Sequence, residues 1–219
     1  MSKVWMITGA SRGLGRALTE AVLEAGDLVV ATARNPEQLV ELQGRYSEKV
    51  HTVALDVTNE AQANAAFEAA IASFGGLDVL VNNAGYGYVC PVEDTPLADF
   101  RAQIETNLFG VIIMTKAVLP YFRERRAGHI IQVTSIAGRI GPAGRAPYAA
   151  AKLKASKSRA AKRPTFRGRS PGTERMFDSA EVTIKIKCRF RFSRCSQGTV
   201  PLMPNPRLDV SERFNCASP

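Results

Sequence analysis

The feature that most constrains this 219-residue chain is an alternation of short apolar runs with segments of helical periodicity. The longest helical segment lies between the last two runs, and we expect this helix to close near Pro120. Continuous apolar strands joined by helical crossovers are buried on both faces, so the pattern predicts an α/β fold with a doubly wound parallel sheet. The runs predict five strands, at Val4–Thr8, Leu28–Thr32, Val50–Leu55, Leu77–Asn82 and His129–Thr134.

A glycine-rich turn with the spacing G-x-x-x-G-x-G joins the first predicted strand to the first helix. Glycines let the backbone approach a pyrophosphate, and the first turn of a helix offers free N–H groups and a partial positive charge. Glycines that serve only the turn are the alternative for such a motif taken alone. The position between strand and helix favours a dinucleotide site, with Gly9, Ser11, Arg12, Gly13, Leu14 and Gly15 as its expected contacts.

The residues at the end of the second predicted strand indicate which dinucleotide is bound. A site for NAD normally has an acidic residue there, which bonds the ribose 2′-hydroxyl. This chain has Arg34 in the segment Val30–Asn35, and no acid. A guanidinium can pair with a 2′-phosphate, and Arg12 is a second candidate, so NADP(H) is preferred over NAD(H). The alternative is that Arg34 is simply a solvated residue at a strand end.

Ser135, Tyr148 and Lys152 form the pattern that carries chemistry. Ser135 is expected at the end of the fifth strand, where open α/β sheets bind ligands, and its hydroxyl can bond a carbonyl oxygen. Tyr148 and Lys152 are four residues apart, on one face of a helix. An ammonium beside a phenol lowers the phenol's pKa from about 10, which suits Tyr148 to general acid or base catalysis. A surface Tyr–Lys pair is the alternative for these two residues alone.

Two further groups stand in the same order along the chain, Asn82-Asn83-Ala84-Gly85 after the fourth strand and Asn107 inside the long helix. With the glycine loop, Ser135, Tyr148 and Lys152, they give a constellation that resembles the short-chain dehydrogenase/reductase family over about residues 3–152. The resemblance implies a Rossmann fold and an NADP(H)-dependent oxidoreductase that interconverts a carbonyl and an alcohol of a small-molecule substrate.

The resemblance also implies individual roles. Tyr148 would be the acid/base, Ser135 would position the substrate oxygen, and Lys152 would tune Tyr148 and bond the nicotinamide ribose beside it. Asn107 would hold a water that extends the proton relay. The remaining cofactor contacts would be Asp56, Val57, Asn83, Ala84 and Gly85. A capped turn is the alternative for Asn83, and an N-cap or Asx turn for Asp56.

The cysteines and histidines indicate the redox state of the protein's environment and whether a metal site is expected. The four cysteines have no regular framework, and the two histidines lie far from them, so free thiols and no metal site are expected. We see no secretory leader and no stretch approaching the length of a membrane span, which predicts a soluble cytoplasmic protein without a membrane partner.

Charge divides the chain after Lys152. Residues 1–152, the expected Rossmann and catalytic domain, carry 14 basic and 15 acidic residues, whereas residues 153–219 carry 15 and 5. The second segment is poor in large apolar residues and is expected to be divergent and disordered. The sixth strand of the order 3-2-1-4-5-6 is not evident in it. Val182–Phe192 alternates like an edge strand, and Pro171-Gly172 faintly resembles a family motif.

Two accounts of the basic segment stay open. It is either a functional extension for an acidic or nucleic-acid partner, which the lack of a recognisable binding module disfavours, or the product of a shifted reading frame or truncation. The resemblance implies that the helix with Tyr148 and Lys152 packs on the sheet and on a partner subunit. Its continuation is rich in lysine and arginine, which disfavours both contacts and therefore a homo-oligomer. The alternative function is therefore a catalytically impaired or non-catalytic dinucleotide-binding protein.

Overall fold

A computed structural model describes residues 2–155, which form a five-stranded parallel sheet in the order β3-β2-β1-β4-β5. This confirms the predicted α/β fold and the order of its first five strands. The region in which a sixth strand is expected lies outside the described residues, as do the segments Pro171-Gly172 and Val182–Phe192. The strands are β1 (Val4–Thr8), β2 (Leu28–Ala33), β3 (Val50–Ala54), β4 (Val79–Asn82) and β5 (His129–Gln132).

Helices cover both faces of the sheet. One apolar cluster joins the sheet to α1 and α2 through residues such as Leu23 and Leu42, and the other joins it to α3 and α5 through Ala66 and Met114. This burial on both faces explains why the strands read as continuous apolar runs. The helices are α1 (Gly13–Glu24), α2 (Val40–Tyr46), α3 (Glu60–Phe74), α4 (Leu97–Ile104), α5 (Gly110–Arg125), α6 (Ala137–Ile140) and α7 (Ala146–Ala155), with short 3-10 turns at Pro36–Leu39 and Ser47–Lys49.

The long helix differs from its predicted form in two ways. A π-helical turn, Glu105–Phe109, joins α4 to α5, and the N–H of Gly110 donates to the carbonyl of Glu105. The helix also continues through Pro120 to Arg125, so the expected end near Pro120 is wrong. Pro120 is exposed, while Val118 and Phe122 on either side of it are buried in the core. We attribute the continuation to this burial, which stabilises the last turn despite the missing N–H.

By length and mean hydropathy, which reaches 1.2, the 29-residue helix Leu97–Arg125 could cross a membrane. The expectation that no stretch approaches a membrane span is therefore too strict for this segment. Met114, Val118 and Phe122 nevertheless pack in the core beneath the sheet, as in a core helix of a globular protein.

The fifth strand ends three residues before Ser135, rather than at it. β5 pairs with β4, and Asn82, the last residue of β4, lies opposite Gln132. Beyond that point β4 turns away, since the N–H of Asn83 donates to the carbonyl of Val81 at 3.1 Å. Ser135 therefore lies in the turn between β5 and α6, still at the carboxyl edge of the sheet.

Small residues hold α7 in place. Ala151 is fully buried, and a Cβ on Gly138 of α6 would stand 2.6 Å from the backbone nitrogen of Leu153. Leu153, the large apolar residue of this helix, is instead 40% exposed. Close backbone approach replaces the apolar stripe that an amphipathic core helix normally uses.

Replacing Pro120 with alanine should raise the free energy of unfolding by about 1 to 3 kcal/mol, because alanine restores a helical N–H at an exposed position. Urea denaturation measures the change, and Lys116→Ala, also exposed on α5, is the matched control with an expected change within about 0.5 kcal/mol. A Pro120→Ala protein no more stable than wild type would show that the helix requires the proline geometry.

Candidate active site

The carboxyl ends of β1 and β4 are clamped together by Thr8. Its buried hydroxyl donates to the carbonyl of Val81 at 3.2 Å and accepts the N–H groups of Asn83 and Ala84 at 3.0 and 2.9 Å. The side-chain amide of Asn83 donates in the other direction, to the carbonyls of Thr8 and Gly9 at 2.8 and 3.1 Å. This side-chain network, hereafter the Thr8–Asn83 clamp, fixes the loop after β4 against the glycine loop.

The glycine loop leaves no room for side chains where it passes the clamp. Gly9 and Gly13 have φ of +67° and +57°, a region that side chains rarely adopt. A Cβ on Gly15 would collide with the carbonyl oxygen of Gly9 and with the Asn83 amide. Ser11 is half-buried and Leu14 is 46% exposed, so both face the open side of the loop. The loop thus presents bare backbone at the start of α1.

The two arginines expected to determine the cofactor preference follow two adjacent strands, β1 and β2. Arg12 is the N-cap residue of α1, and Arg34 directly follows β2, the strand next to β1. The loop and β2 are tied by a hydrogen bond from the N–H of Ala10 to the carbonyl of Thr32 at 2.9 Å. Both arginines are exposed, and the ion pairs within residues 2–155 involve other side chains.

Asp56 and Val57 have structural roles after β3. One oxygen of Asp56 accepts the N–H and the hydroxyl of Thr58 at 2.9 and 2.8 Å, which is the Asx turn that the sequence left open. The Val57 side chain is buried against Gly110, where a Cβ would collide with it. Asp56 itself is half-buried, two residues beyond the end of β3.

Lys152 brings a charge into the interior. It is 4% exposed, and its Nζ donates to the carbonyl of Val133 at 3.3 Å. Burial lowers the pKa of Lys152 from 10.5 to about 8, because the charged form is poorly solvated there. Its Nζ lies 5.7 Å from the centre of the Tyr148 ring, one helical turn earlier.

The Tyr148 ring lies on the loop after β4. A Cβ on Gly87 would stand 2.7 Å from the ring, so glycine is required for this contact. Ser135 is half-buried across the cleft edge, and its hydroxyl oxygen accepts the N–H of Ala137 at 3.2 Å. The serine hydroxyl hydrogen is therefore available to another acceptor.

Asn107 lies in the π-helical turn, fully buried. Its Nδ2 donates to the carbonyls of Tyr86 and Gln103 at 2.7 and 2.9 Å, which leaves its Oδ1 without a partner among the described residues. A Cβ on Gly85 would collide with this Oδ1 and stand 3.2 Å from Lys152 Nζ. Both atoms therefore face the same bare stretch of backbone.

The structure thus brings Asn107, Tyr148 and Lys152 together, places Ser135 at the same edge of the sheet, and sets the glycine loop beside Asn83, Ala84 and Gly85. The sequence analysis did not identify the role of the Thr8 hydroxyl. It also missed Gly87, which lies against the Tyr148 ring, and Gly138, which lies against the backbone of α7. For Gly87 a signal existed in the repeat Gly85-x-Gly87, whereas nothing in the sequence marks the Gly138 contact.

A family model described as short chain dehydrogenase matches residues 3–158. Oxidoreductase BOA17 of Botryotinia fuckeliana is 51% identical over 153 residues, 69% of this chain and 56% of the relative. The NADP-dependent 3-hydroxy acid dehydrogenase YdfG of Escherichia coli K12 is 36% identical over 67% of this chain and 60% of its own length. The chain spans just over half the length of the first of these relatives.

Among solved structures, a short-chain dehydrogenase from Streptomyces avermitilis is similar with a TM-score of 0.67 and 39% identity. The likeness covers 70% of this chain and 56% of that one. The residues that the family model matches include the glycine loop, the clamp and the Lys152 site.

Replacing Lys152 with methionine should stabilise the protein below pH 8. The folded chain holds this group at a pKa of about 8 against 10.5, so it binds fewer protons than the unfolded chain between those values, and wild-type stability rises across that window. At pH 7 the variant should therefore be more stable by up to about 3 kcal/mol, a gap that closes towards pH 10.5.

Denaturant unfolding at pH 7 and at pH 10.5 measures this gap, with the exposed Lys116→Met as the control for loss of a lysine. A Lys152→Met protein less stable than wild type at pH 7 would contradict the assigned burial.

Proposed function

The chain belongs to the short chain dehydrogenase family, and from this premise we propose an NADP(H)-dependent oxidoreductase that interconverts the carbonyl and alcohol of a small molecule. The observation that carries the proposal is the convergence of Tyr148, buried Lys152 and Asn107 on the loop after β4. A proton donor beside a buried cation, next to a nucleotide-type loop, suits hydride transfer better than hydrolysis or binding alone.

The residues present fit a nicotinamide dinucleotide. The glycine loop is a cradle of bare backbone at a helix N-terminus, where a pyrophosphate is favoured, and Gly85 continues the bare surface towards Lys152. Gly9, Ser11, Gly13, Leu14 and Gly15 would hold the phosphates, and Asn83, Ala84 and Gly85 would line the nucleoside side. When bound, the cofactor supplies or takes the hydride, and the protein supplies orientation and proton transfer.

Tyr148 is proposed to exchange a proton with the substrate oxygen. Its ring packs closely against Gly87, which would orient the phenol before substrate arrives. The free hydroxyl hydrogen of Ser135 would bond the same oxygen and orient it towards Tyr148. Lys152, kept in place by the carbonyl of Val133, would stabilise the phenolate that remains after proton transfer and bond the nicotinamide ribose.

A preference for NADP(H) rests on Arg12 and Arg34, two exposed guanidinium groups, and on the absence of an acidic residue from the segment Val30–Asn35 at the end of β2. The NADP-dependent relative from Escherichia coli is consistent with that preference. The adenine contact of Asp56 and Val57 is a weaker part of the proposal, because the Asx turn and the packing against Gly110 account for both residues.

A second candidate function is a dinucleotide-binding protein without turnover. The observation that favours it is composition, because residues 153–219 carry 15 basic and 5 acidic residues and are poor in large apolar residues. Cofactor binding without reduction of any carbonyl would select this function over the first.

Replacing Tyr148 with phenylalanine should lower kcat for carbonyl reduction by about 100-fold or more, because the proton donor is lost. The dissociation constant for NADPH should change little. Steady-state kinetics and fluorescence titration measure the two quantities. Tyr121→Phe, distant on α5, is the matched control, and a Tyr148→Phe enzyme of normal kcat would refute the assigned role.

Replacing Arg34 with aspartate should weaken NADPH binding by about 10- to 100-fold, since a charge-assisted hydrogen bond is lost and a repulsion gained. NADH binding should be unchanged or stronger. Lys3→Asp makes a similar charge change at the opposite end of β1 and should affect neither cofactor. Equal weakening of both cofactors by Arg34→Asp would argue that this residue does not read the 2′-phosphate.

A further inference from the structure

A cavity of about 490 Å³ lies between the loop after β4 and the segment that joins α6 to α7. The loop contributes Pro91, Val92 and Glu93 to its walls, the joining segment contributes residues 141–144, and α7 contributes Ala146 and Ala149. Cavities of this volume are large enough to bind a small molecule.

Two close contacts hold the walls of this cavity together. The N–H of Cys90 donates to the carbonyl of Gly144 at 2.8 Å. A Cβ on Gly144, which has a φ of +70°, would stand 2.9 Å from Cγ1 of Val89. The loop after β4 and the joining segment therefore meet at a defined point, and the cavity is part of the packed fold.

The walls continue directly from the elements that carry the proposed chemistry. Gly87, which lies against the Tyr148 ring, belongs to the same loop as residues 91–93. Ala149 follows Tyr148 on α7, and the joining segment follows α6, which begins two residues after Ser135. A carbonyl held by Tyr148 and Ser135 would therefore place the rest of its molecule against this cavity.

The lining of the cavity is apolar except for one side chain. Glycine, alanine, proline and valine form most of it, and Glu93 is the one charged residue that lines it within residues 2–155. Arg139 precedes the joining segment and Arg145 ends it, but neither lines the cavity. A site for a carboxylate or phosphate uses cationic side chains or N–H donors, whereas the carboxylate of Glu93 repels such a group.

Exposed apolar side chains extend this lining. Val89 and Val92 of the loop, and Ile140 directly before the joining segment, are between 61% and 67% exposed. An apolar ligand that covers such side chains gains free energy by removing their surface from water. The chemistry of the walls thus favours an apolar occupant without negative charge.

We propose that this cavity binds the apolar, uncharged part of a ketone or aldehyde, and that Glu93 selects against carbonyl compounds with an anionic group at that position. The inference rests on the proposed function, because it names the substrate class of the same site. The carbonyl carbon takes the hydride of the reduced cofactor and the oxygen takes the Tyr148 proton, so that a neutral alcohol forms. Glu93 determines specificity and takes no part in these transfers.

Two ketones of equal chain length test the substrate class. Octan-2-one and 7-oxooctanoate are both methyl ketones, and a carboxylate in the second replaces the terminal methyl group of the first. With NADPH, we expect kcat/KM to be at least about 10-fold higher for octan-2-one, because the carboxylate would lose hydration in an apolar cavity and meet Glu93. An enzyme that reduces 7-oxooctanoate as efficiently as octan-2-one, or more efficiently, would overturn the proposal.

Substitutions of Glu93 test the source of the selectivity. Glu93→Gln should lower the ratio of the two kcat/KM values about 3- to 5-fold, because an exposed charge acts weakly through solvent, and Glu93→Lys should lower it about 10-fold. Glu48→Gln and Glu48→Lys are the matched controls, because Glu48 is also exposed but lies before β3, the edge strand farthest from β5. The controls should leave the ratio unchanged, and a ratio that both Glu93 variants also leave unchanged would refute the selective role of Glu93.

The outcomes distinguish this inference from the proposed function. An enzyme that reduces other carbonyl compounds but neither of these ketones would overturn the substrate class alone. Reduction of no carbonyl compound would overturn the proposed function, and saturation-transfer NMR of the two ketones with the protein and NADP+ then decides the inference. Stronger binding of octan-2-one would support it, whereas binding of neither ketone, or equal or stronger binding of 7-oxooctanoate, would overturn it.

Discussion

The Thr8–Asn83 clamp is the interaction on which the rest of the site depends. One threonine hydroxyl satisfies two N–H groups of the loop after β4 while donating to a third backbone group, and Asn83 returns two hydrogen bonds to the glycine loop. Because these bonds are buried or partly buried, breaking one of them leaves a polar group poorly satisfied. The clamp therefore fixes the loop after β4, whose glycines lie against Tyr148 and Lys152, to the glycine loop after β1.

The burial of Lys152 connects stability to function. A lysine with its pKa lowered to about 8 by burial weakens the fold at neutral pH, and it lies near Asn107 Oδ1, which has no hydrogen-bond partner among residues 2–155. Groups that are strained or unsatisfied in this way concentrate where binding or catalysis needs them. The π-helical turn at Glu105–Phe109 fits the same account, because such turns are frequent at functional sites and this one carries Asn107.

Much of the fold could be predicted from the sequence, since the periodicity of the apolar residues identifies the strands, the helical crossovers make them parallel, and the Rossmann-type fold supplies their order. The ends of elements were harder to predict because they depend on partners. β5 stops at Gln132 because β4 turns away after Asn82, and α5 passes Pro120 because Phe122 is buried. The four-residue spacing predicts that Tyr148 and Lys152 share one helix face. The close approach of Gly138 to α7 depends on tertiary packing, which no local sequence pattern indicates.

We propose that residues 2–155 form a nucleotide site that the clamp and the glycine loop shape before the cofactor binds. Calorimetric titration of the full chain with NADPH and NADH, at moderate salt so that the basic segment does not capture phosphates, tests it most directly. The account predicts one site per chain, with NADPH bound more tightly than NADH. Absence of binding to either cofactor would contradict the proposal, because both cofactors contain the pyrophosphate that the glycine loop is proposed to hold.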